Sequence, residues 1–262
     1  MSEKKYDLLT LGEVLMRLSP ERELRFSQCD GFAVDIGGAE ANVAAGAAAL
    51  GLRTSLITRL PAHAIGDMAA RAIRKTGVDL SCVLWDEDPK ARLGIYYYEK
   101  AASPRKPRVV YDRMHSSILS LRADDIPAEV YASTKIFHTS GITLGLSRTL
   151  RAEVTEMIRR FSAAGAKISF DVNYRSNLWS GPEAREAIEA ILPLVDIFFC
   201  SKSTARLTFD RDGEIGDVLR GFAEDYDISV VAATHRIVHS PRKHSFTSFV
   251  YEKESGQLFT EE

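Results

Sequence analysis

The 262-residue chain contains only three cysteines, Cys29, Cys82 and Cys200, far apart and without a Cys-x-x-Cys pair. That leaves no disulfide framework and no structural zinc site to expect, and it suits a reducing cytoplasm. Charge of one sign is also missing: Lys+Arg 34 against Asp+Glu 36 gives a net charge of −2, which argues against a nucleic-acid binder carried by bulk charge. No run approaches the roughly 20 apolar residues of a membrane helix, and Met1-Ser2-Glu3-Lys4-Lys5 leads straight into a strand-like Leu8–Leu11, unlike a secretory signal. The six histidines show no HExxH or other paired metal spacing. The chain also lacks a Gly-x-Ser-x-Gly elbow, a phosphate loop ending in Gly-Lys-Ser/Thr and a dinucleotide fingerprint. Among the histidines, His138 follows an apolar strand and reads as a hydrogen-bonded core residue rather than a general base.

What is present is ordinary globular composition, 45% hydrophobic and 27% charged, in a chain long enough to bury roughly 70% of its extended surface as one large domain. Short apolar strands at residues 8–11, 55–58, 135–139, 167–171, 197–200 and 229–233 alternate with helix-length segments. The helices span 39–51, 66–77, 148–165, 182–191 and 214–226, and Gly51, Gly77 and Gly165 stand at three of their C-terminal ends. This is the pattern of crossover units on a mostly parallel sheet. Two segments break it: Phe26–Ile36, and Ala91–Arg113 with period-2 runs over 93–98 and 109–111 joined by a Ser103–Pro107 turn. Both read as antiparallel strands of a flap that covers a site or makes a dimer contact.

Three regions carry chemistry. In Asp35-Ile36-Gly37-Gly38-Ala39-Glu40-Ala41-Asn42, two glycines before an Ala-rich helix let the backbone approach a polar ligand, and Asn42 sits one turn in, with an amide suited to sugar hydroxyls. A tight turn packed on the sheet is the competing reading. The strand 167–171 ends at Asp171, so that Asp171, Asn173 and Arg175 lie beyond its carboxyl end, where ligands of α/β sheets gather. Arg175 offers a fork of donors for a carboxylate or phosphoryl group, or else makes a surface ion pair. From Lys90 to Arg113 there are seven basic residues against Glu99 and Asp112, a local balance of +5 that favours an anionic small molecule. Tyr96 and Tyr98 share one strand face, as do Tyr111 and Arg113, so rings and a guanidinium converge on a bound acid; base stacking is the alternative. Lys100, Arg105 and Lys106 read as solvated surface charge.

Gly37–Asn42, Tyr111-Asp112-Arg113, His138-Thr139-Ser140-Gly141-Ile142 and Asp171-Val172-Asn173-Tyr174-Arg175 with Leu178-Trp179 occur in this order over nearly the whole chain. Together they resemble the ribokinase-like (PfkB) carbohydrate kinases, most closely the 2-keto-3-deoxygluconate kinases. The resemblance implies an α/β, three-layer fold: a central mostly parallel sheet with helices on both faces and a small β lid, formed here by residues of about 13–36 and 91–113 within one domain, 1–262. It implies transfer of the γ-phosphate of ATP, with Mg²⁺, to a hydroxyl of a sugar acid. Apart from the resemblance, the exposed flap sheet reads either as the contact of a homodimer or higher oligomer or as lid surface that closes on substrate. Neither nucleic acid nor membrane is an expected partner. By the resemblance, Gly37, Gly38, Asn42, Tyr96, Tyr111, Arg113 and Asn173 hold the sugar acid, Arg175 binds the acid or the transferring phosphate, and Ser201, Thr234 and Arg236 contact ATP. No residue is assigned to the metal.

Two departures qualify this expectation. The acidic residue that the family usually carries three positions after Ser201 is Thr204 here, and the family's Gly-Ala-Gly-Asp segment, with its anion hole and general base, does not occur. The sequence therefore predicts a C-terminally truncated kinase, ATP-dependent when complete and without its anion hole and general base in this chain, a loss worth several orders of magnitude in rate, with a non-catalytic sugar-acid-binding protein derived from such a kinase as the second reading. A dinucleotide-dependent dehydrogenase is disfavoured by the missing glycine fingerprint.

Overall fold

A computed structural model of the chain describes residues 4–101, 105–240 and 243–261. The Ser103-Pro104 part of the expected turn lies outside the described residues, as do Met1, Ser2 and Glu3. The chain divides into two compact units, residues 5–121 and residues 122–261.

The first unit is built on three parallel strands, β1 (Tyr6–Leu11), β4 (Thr54–Pro61) and β5 (Val83–Asp86), in the order β1-β4-β5. Leu9 and Leu11 of β1 and Leu56, Ile57 and Leu60 of β4 are fully buried, and so are Thr10, Ser55 and Thr58, so adjacent residues of both strands are covered rather than every second one. Helices α1 (Ala39–Ala49) and α2 (Ala64–Arg74) bury Ala41, Ala44, Ala69, Ala70 and Ile73 in one core cluster with Leu56 and Leu60. Small side chains on α1 let its backbone sit close to the sheet. The expected helix stops hold: Gly51, Gly77 and Gly165 adopt φ of 87°, 89° and 78°, left-handed values that a side chain would disfavour.

A second sheet in this unit consists of β2 (Leu15–Pro20), β3 (Phe32–Gly37), β6 (Gly94–Glu99) and β7 (Arg108–Asp112) in the order β3-β2-β6-β7. These strands come from the two segments expected to form the flap, but the expected antiparallel pairing holds only for β2–β3 and β6–β7; β2 and β6, which join the two segments, run parallel. Its register sorts the side chains into two faces. Asp35, Arg17, Tyr96 and Tyr111 stand side by side on one face, and Val34, Leu18, Tyr97 and Val110 on the other. The flap is held by more than strand pairing. Arg105, expected as solvated charge, instead donates to the carbonyls of Glu23 and Lys100 at 2.9 Å each and faces the buried Glu99 at 3.7 Å.

The second unit contains α3 (Ala128–Tyr131), α4 (Gly141–Gly145), α5 (Arg148–Ala163), α6 (Gly181–Glu189), α7 (Lys202–Phe209) and α8 (Ile215–Tyr226). Strands β8 (Thr134–Ser140), β9 (Lys167–Asp171), β10 (Ile197–Phe199) and β11 (Val230–Ser240) run parallel in that order, and β12 (Lys243–Glu252) and β13 (Gln257–Glu261) continue the sheet antiparallel. Phe137, Phe161, Phe170, Phe198 and Phe222 fill the core; Phe137 and Phe161 stack with centroids 4.0 Å apart. The expected strand 229–233 is a correction in length, because β11 runs on to Ser240, its outer residues exposed and paired with β12.

Candidate active site

The candidate residues of the first unit gather around the end of β1. Gly38 precedes α1, and a Cβ on it would lie well inside van der Waals contact of the Glu13 carbonyl, so only glycine permits this approach. Asn42 is exposed one turn into α1, its Oδ1 folded over Gly37 at 3.4 Å from where a Cβ would stand. On the lid, the Tyr96 and Tyr111 rings lie 5.9 Å apart, and the Arg113 guanidinium sits 5.6 Å from the centre of the Tyr111 ring. Gly37, Gly38, Asn42, Tyr96, Tyr111 and Arg113 thus belong to one unit, and the polar lid face adds Arg17, whose Nη2 is 2.6 Å from Asp35 Oδ2.

Beneath Arg113 lies a carboxylate that the sequence reading passed over. Glu13 is only 3% exposed; it is ion-paired with Arg113 Nη2 and accepts a 2.6 Å hydrogen bond from Ser116 Oγ. Burial pushes its carboxyl pKa up, against the opposing pull of Arg113 and Ser116. The Nε of Arg113 is buried without a hydrogen-bond partner. The available signal was an acidic residue directly after Gly12 at the end of an apolar strand.

In the second unit, Asp171 closes β9 and accepts from the Asn173 backbone N–H at 2.9 Å, and Asn173 takes φ of 38°. Burial raises the Asp171 pKa, while that hydrogen bond and the Arg175 charge lower it less strongly. Arg175 is exposed and donates to the Tyr174 carbonyl at 2.9 Å. These residues line a cleft of about 420 Å³ together with Ser201, Thr204 and Thr234. A second cleft of about 650 Å³ shares Ser201 and Thr234 and adds Lys202, Arg206 and Arg236.

Ser201 caps α7: its Oγ accepts from the Thr204 N–H at 3.2 Å and donates to Thr204 Oγ1 at 2.9 Å. Unpaired N–H groups of a helix start, hydroxyls and three cationic side chains form a donor set suited to a polyphosphate. Arg236 is also in hydrogen-bond contact with His244, 3.2 Å from its Nδ1, and lies over the Phe246 ring. Ser201, Thr234 and Arg236 therefore come together at one cleft, as do Asn173 and Arg175 at the other.

The pfkB family of carbohydrate kinases matches residues 5–235. The chain belongs to this family. This carbohydrate-kinase chain is 34% identical over 247 residues to a 2-dehydro-3-deoxygalactonokinase of Haloferax volcanii, covering 94% of the chain and 76% of that relative. It is 28% identical over 198 residues to a 2-dehydro-3-deoxygluconokinase of Bacillus subtilis, covering 74% of the chain and 60% of that protein. The crystal structure of 2-dehydro-3-deoxygluconokinase from Thermotoga maritima superposes with a TM-score of 0.90 at 31% identity, covering 97% of this chain and 78% of that one. A pfkB carbohydrate kinase from Listeria grayi gives 0.89 at 36% identity, covering 97% and 79%. The fold is ribokinase-like, with a mostly parallel sheet, helices and a separate β lid.

Proposed function

We propose that this pfkB kinase transfers the γ-phosphate of ATP to a hydroxyl of a 2-keto-3-deoxy sugar acid, 2-keto-3-deoxygluconate first among them. The observation that carries this reading is the Arg113 guanidinium set over the Tyr111 ring, which in turn neighbours Tyr96 on the polar lid face. The guanidinium donors that Glu13 leaves free, next to the Tyr111 ring, suit a carboxylate joined to a short carbon chain better than a neutral sugar. Gly37, Gly38 and Asn42 then receive the hydroxyl end, and the names of the relatives support this substrate class.

On the nucleotide side, Ser201, Thr234 and Arg236 hold ATP, with Asn173 and Arg175 toward the transferring phosphate. Arg175 is the catalytic residue in this reading, because phosphoryl transfer depends on positioning and on neutralising charge that develops on the phosphoryl oxygens. Mg²⁺ commonly relies on one or two carboxylates plus phosphate oxygens. Among the described residues no group of three or more His, Cys, Asp or Glu side chains forms a metal cage, and the Asp171 carboxylate at the cleft is the residue that fits such a shared site. Bound there, the ion would supply charge neutralisation at the phosphates. The half-exposed Val34 and Val110 on the apolar lid face suit a homodimer contact. We place the protein in the cytoplasm, where ATP is available and the three free cysteines stay reduced. No helix among the described residues is long and apolar enough to cross a membrane.

The second reading, a non-catalytic sugar-acid binder, is favoured by Thr204, which accepts from Ser201 where the resemblance predicts an acid. Transfer of labelled γ-phosphate from MgATP to 2-keto-3-deoxygluconate separates the two. The kinase reading expects a phosphorylated acid, a rate at least ~100-fold lower in Arg175→Ala, and no product from fructose. Tight binding of the acid with no transfer supports the binder, and transfer to fructose in preference to the acid contradicts both.

A further inference from the structure

Glu13 lies against the start of α1, the start of β6 and Arg113, three places in the first unit that carry candidate sugar residues. Its main-chain carbonyl occupies the space beside Gly38 at the start of α1. One carboxylate oxygen, Oε1, lies 2.5 Å from where a Cβ on Gly94 would stand, at the start of the strand that presents Tyr96, and accepts from Ser116 Oγ at 2.6 Å. The other, Oε2, takes the Arg113 guanidinium. The side chain is buried, 3% exposed, with one oxygen on Ser116 and the other on Arg113.

We infer that Glu13 is a positioning residue for sugar-acid recognition, acting through Arg113. Its carboxylate fixes one edge of the guanidinium so that the remaining donors keep a fixed direction, and its contacts with Gly38 and Gly94 hold α1 and β6 in register with that direction. A flexible arginine loses rotamer freedom when it grips a carboxylate, and a side chain already clamped loses less. The inference rests on the proposed role of Arg113 in binding the acid.

The test is a double-mutant cycle read by calorimetry with 2-keto-3-deoxygluconate. Glu13→Gln keeps the shape and offers an oxygen to Arg113 and an N–H₂ to Ser116, but removes the charge-assisted bond. It is expected to weaken acid binding roughly tenfold in the native background. In an Arg113→Met background it is expected to have no further effect, and MgATP affinity is expected to stay the same in both.

A loss of the same size in both backgrounds overturns the inference, since Glu13 then acts independently of Arg113, as a structural residue would. So does a native-like affinity in Glu13→Gln when Arg113→Met alone weakens binding, which leaves the proposed function intact. An unchanged affinity in Arg113→Met sinks the proposed role of Arg113 itself. Ser116→Ala, which removes one hydrogen bond from the carboxylate, gives the same cycle with a roughly threefold effect and decides the matter if Glu13→Gln does not fold.

Discussion

His138, near the end of β8, is a single buried group from which a loss of stability in acid is expected. It is 4% exposed, its Nδ1 is 2.9 Å from Ser169 Oγ, and burial lowers its pKa from 6.5 to about 4. The unfolded chain therefore binds the proton first, so stability is full above pH 6.5 and falls as the pH drops from 6.5 toward 4. The loss is on the order of 3 kcal/mol. Replacing His138 by Gln, which keeps a partner for Ser169, should flatten the dependence of the melting temperature on pH across that window; an unchanged slope would assign the effect elsewhere. Gly38 gives the second residue-level prediction. A methyl group there meets the Glu13 carbonyl, so Gly38→Ala should weaken sugar-acid binding by at least tenfold while MgATP binding is retained, measured by calorimetry. Arg113, Tyr96 and Tyr111 were legible in the sequence because strand alternation fixes which side chains share a face. Glu13 was not, because nothing in a local pattern says that an acid after a strand will be buried under an arginine 100 positions away.

Among the elements, α7 is the one whose stability bears most directly on the proposed nucleotide cleft. Ser201 supplies its cap, and Ser201→Ala should cost about 1 kcal/mol of stability and also weaken MgATP binding, since the same hydroxyl lines both clefts. Thermal melting with and without MgATP measures both effects. A lower melting temperature with an unchanged nucleotide shift would confine Ser201 to capping. Strands buried on both sides, such as β1, β4 and β9, were readable to within a few residues as short segments rich in Leu, Ile and Phe. The outer half of β11 was not: from Thr234 to Ser240 its residues are exposed, and His235, Arg236 and His239 dilute the apolar alternation that marks a strand. Helix α7 was not among the expected helices, being only eight residues long and starting directly after the short strand β10.

At the scale of the whole molecule, family, fold and element order were legible because four motifs occur in one order along nearly the full chain. The two-faced character of the lid emerges only from the register of four strands drawn from distant segments. Its apolar face predicts self-association. Val110→Asp should shift the protein toward monomer in sedimentation equilibrium without changing affinity for the acid, and a native protein that stays monomeric at high concentration would contradict that contact. The central claim concerns the opposite face, and the measurement that tests it most directly is calorimetric titration of the native chain with 2-keto-3-deoxygluconate and, separately, with fructose. The account predicts clear binding of the acid, weakened at least tenfold by Arg113→Met, and little binding of fructose. Equal or tighter binding of fructose, indifferent to Arg113→Met, would contradict it.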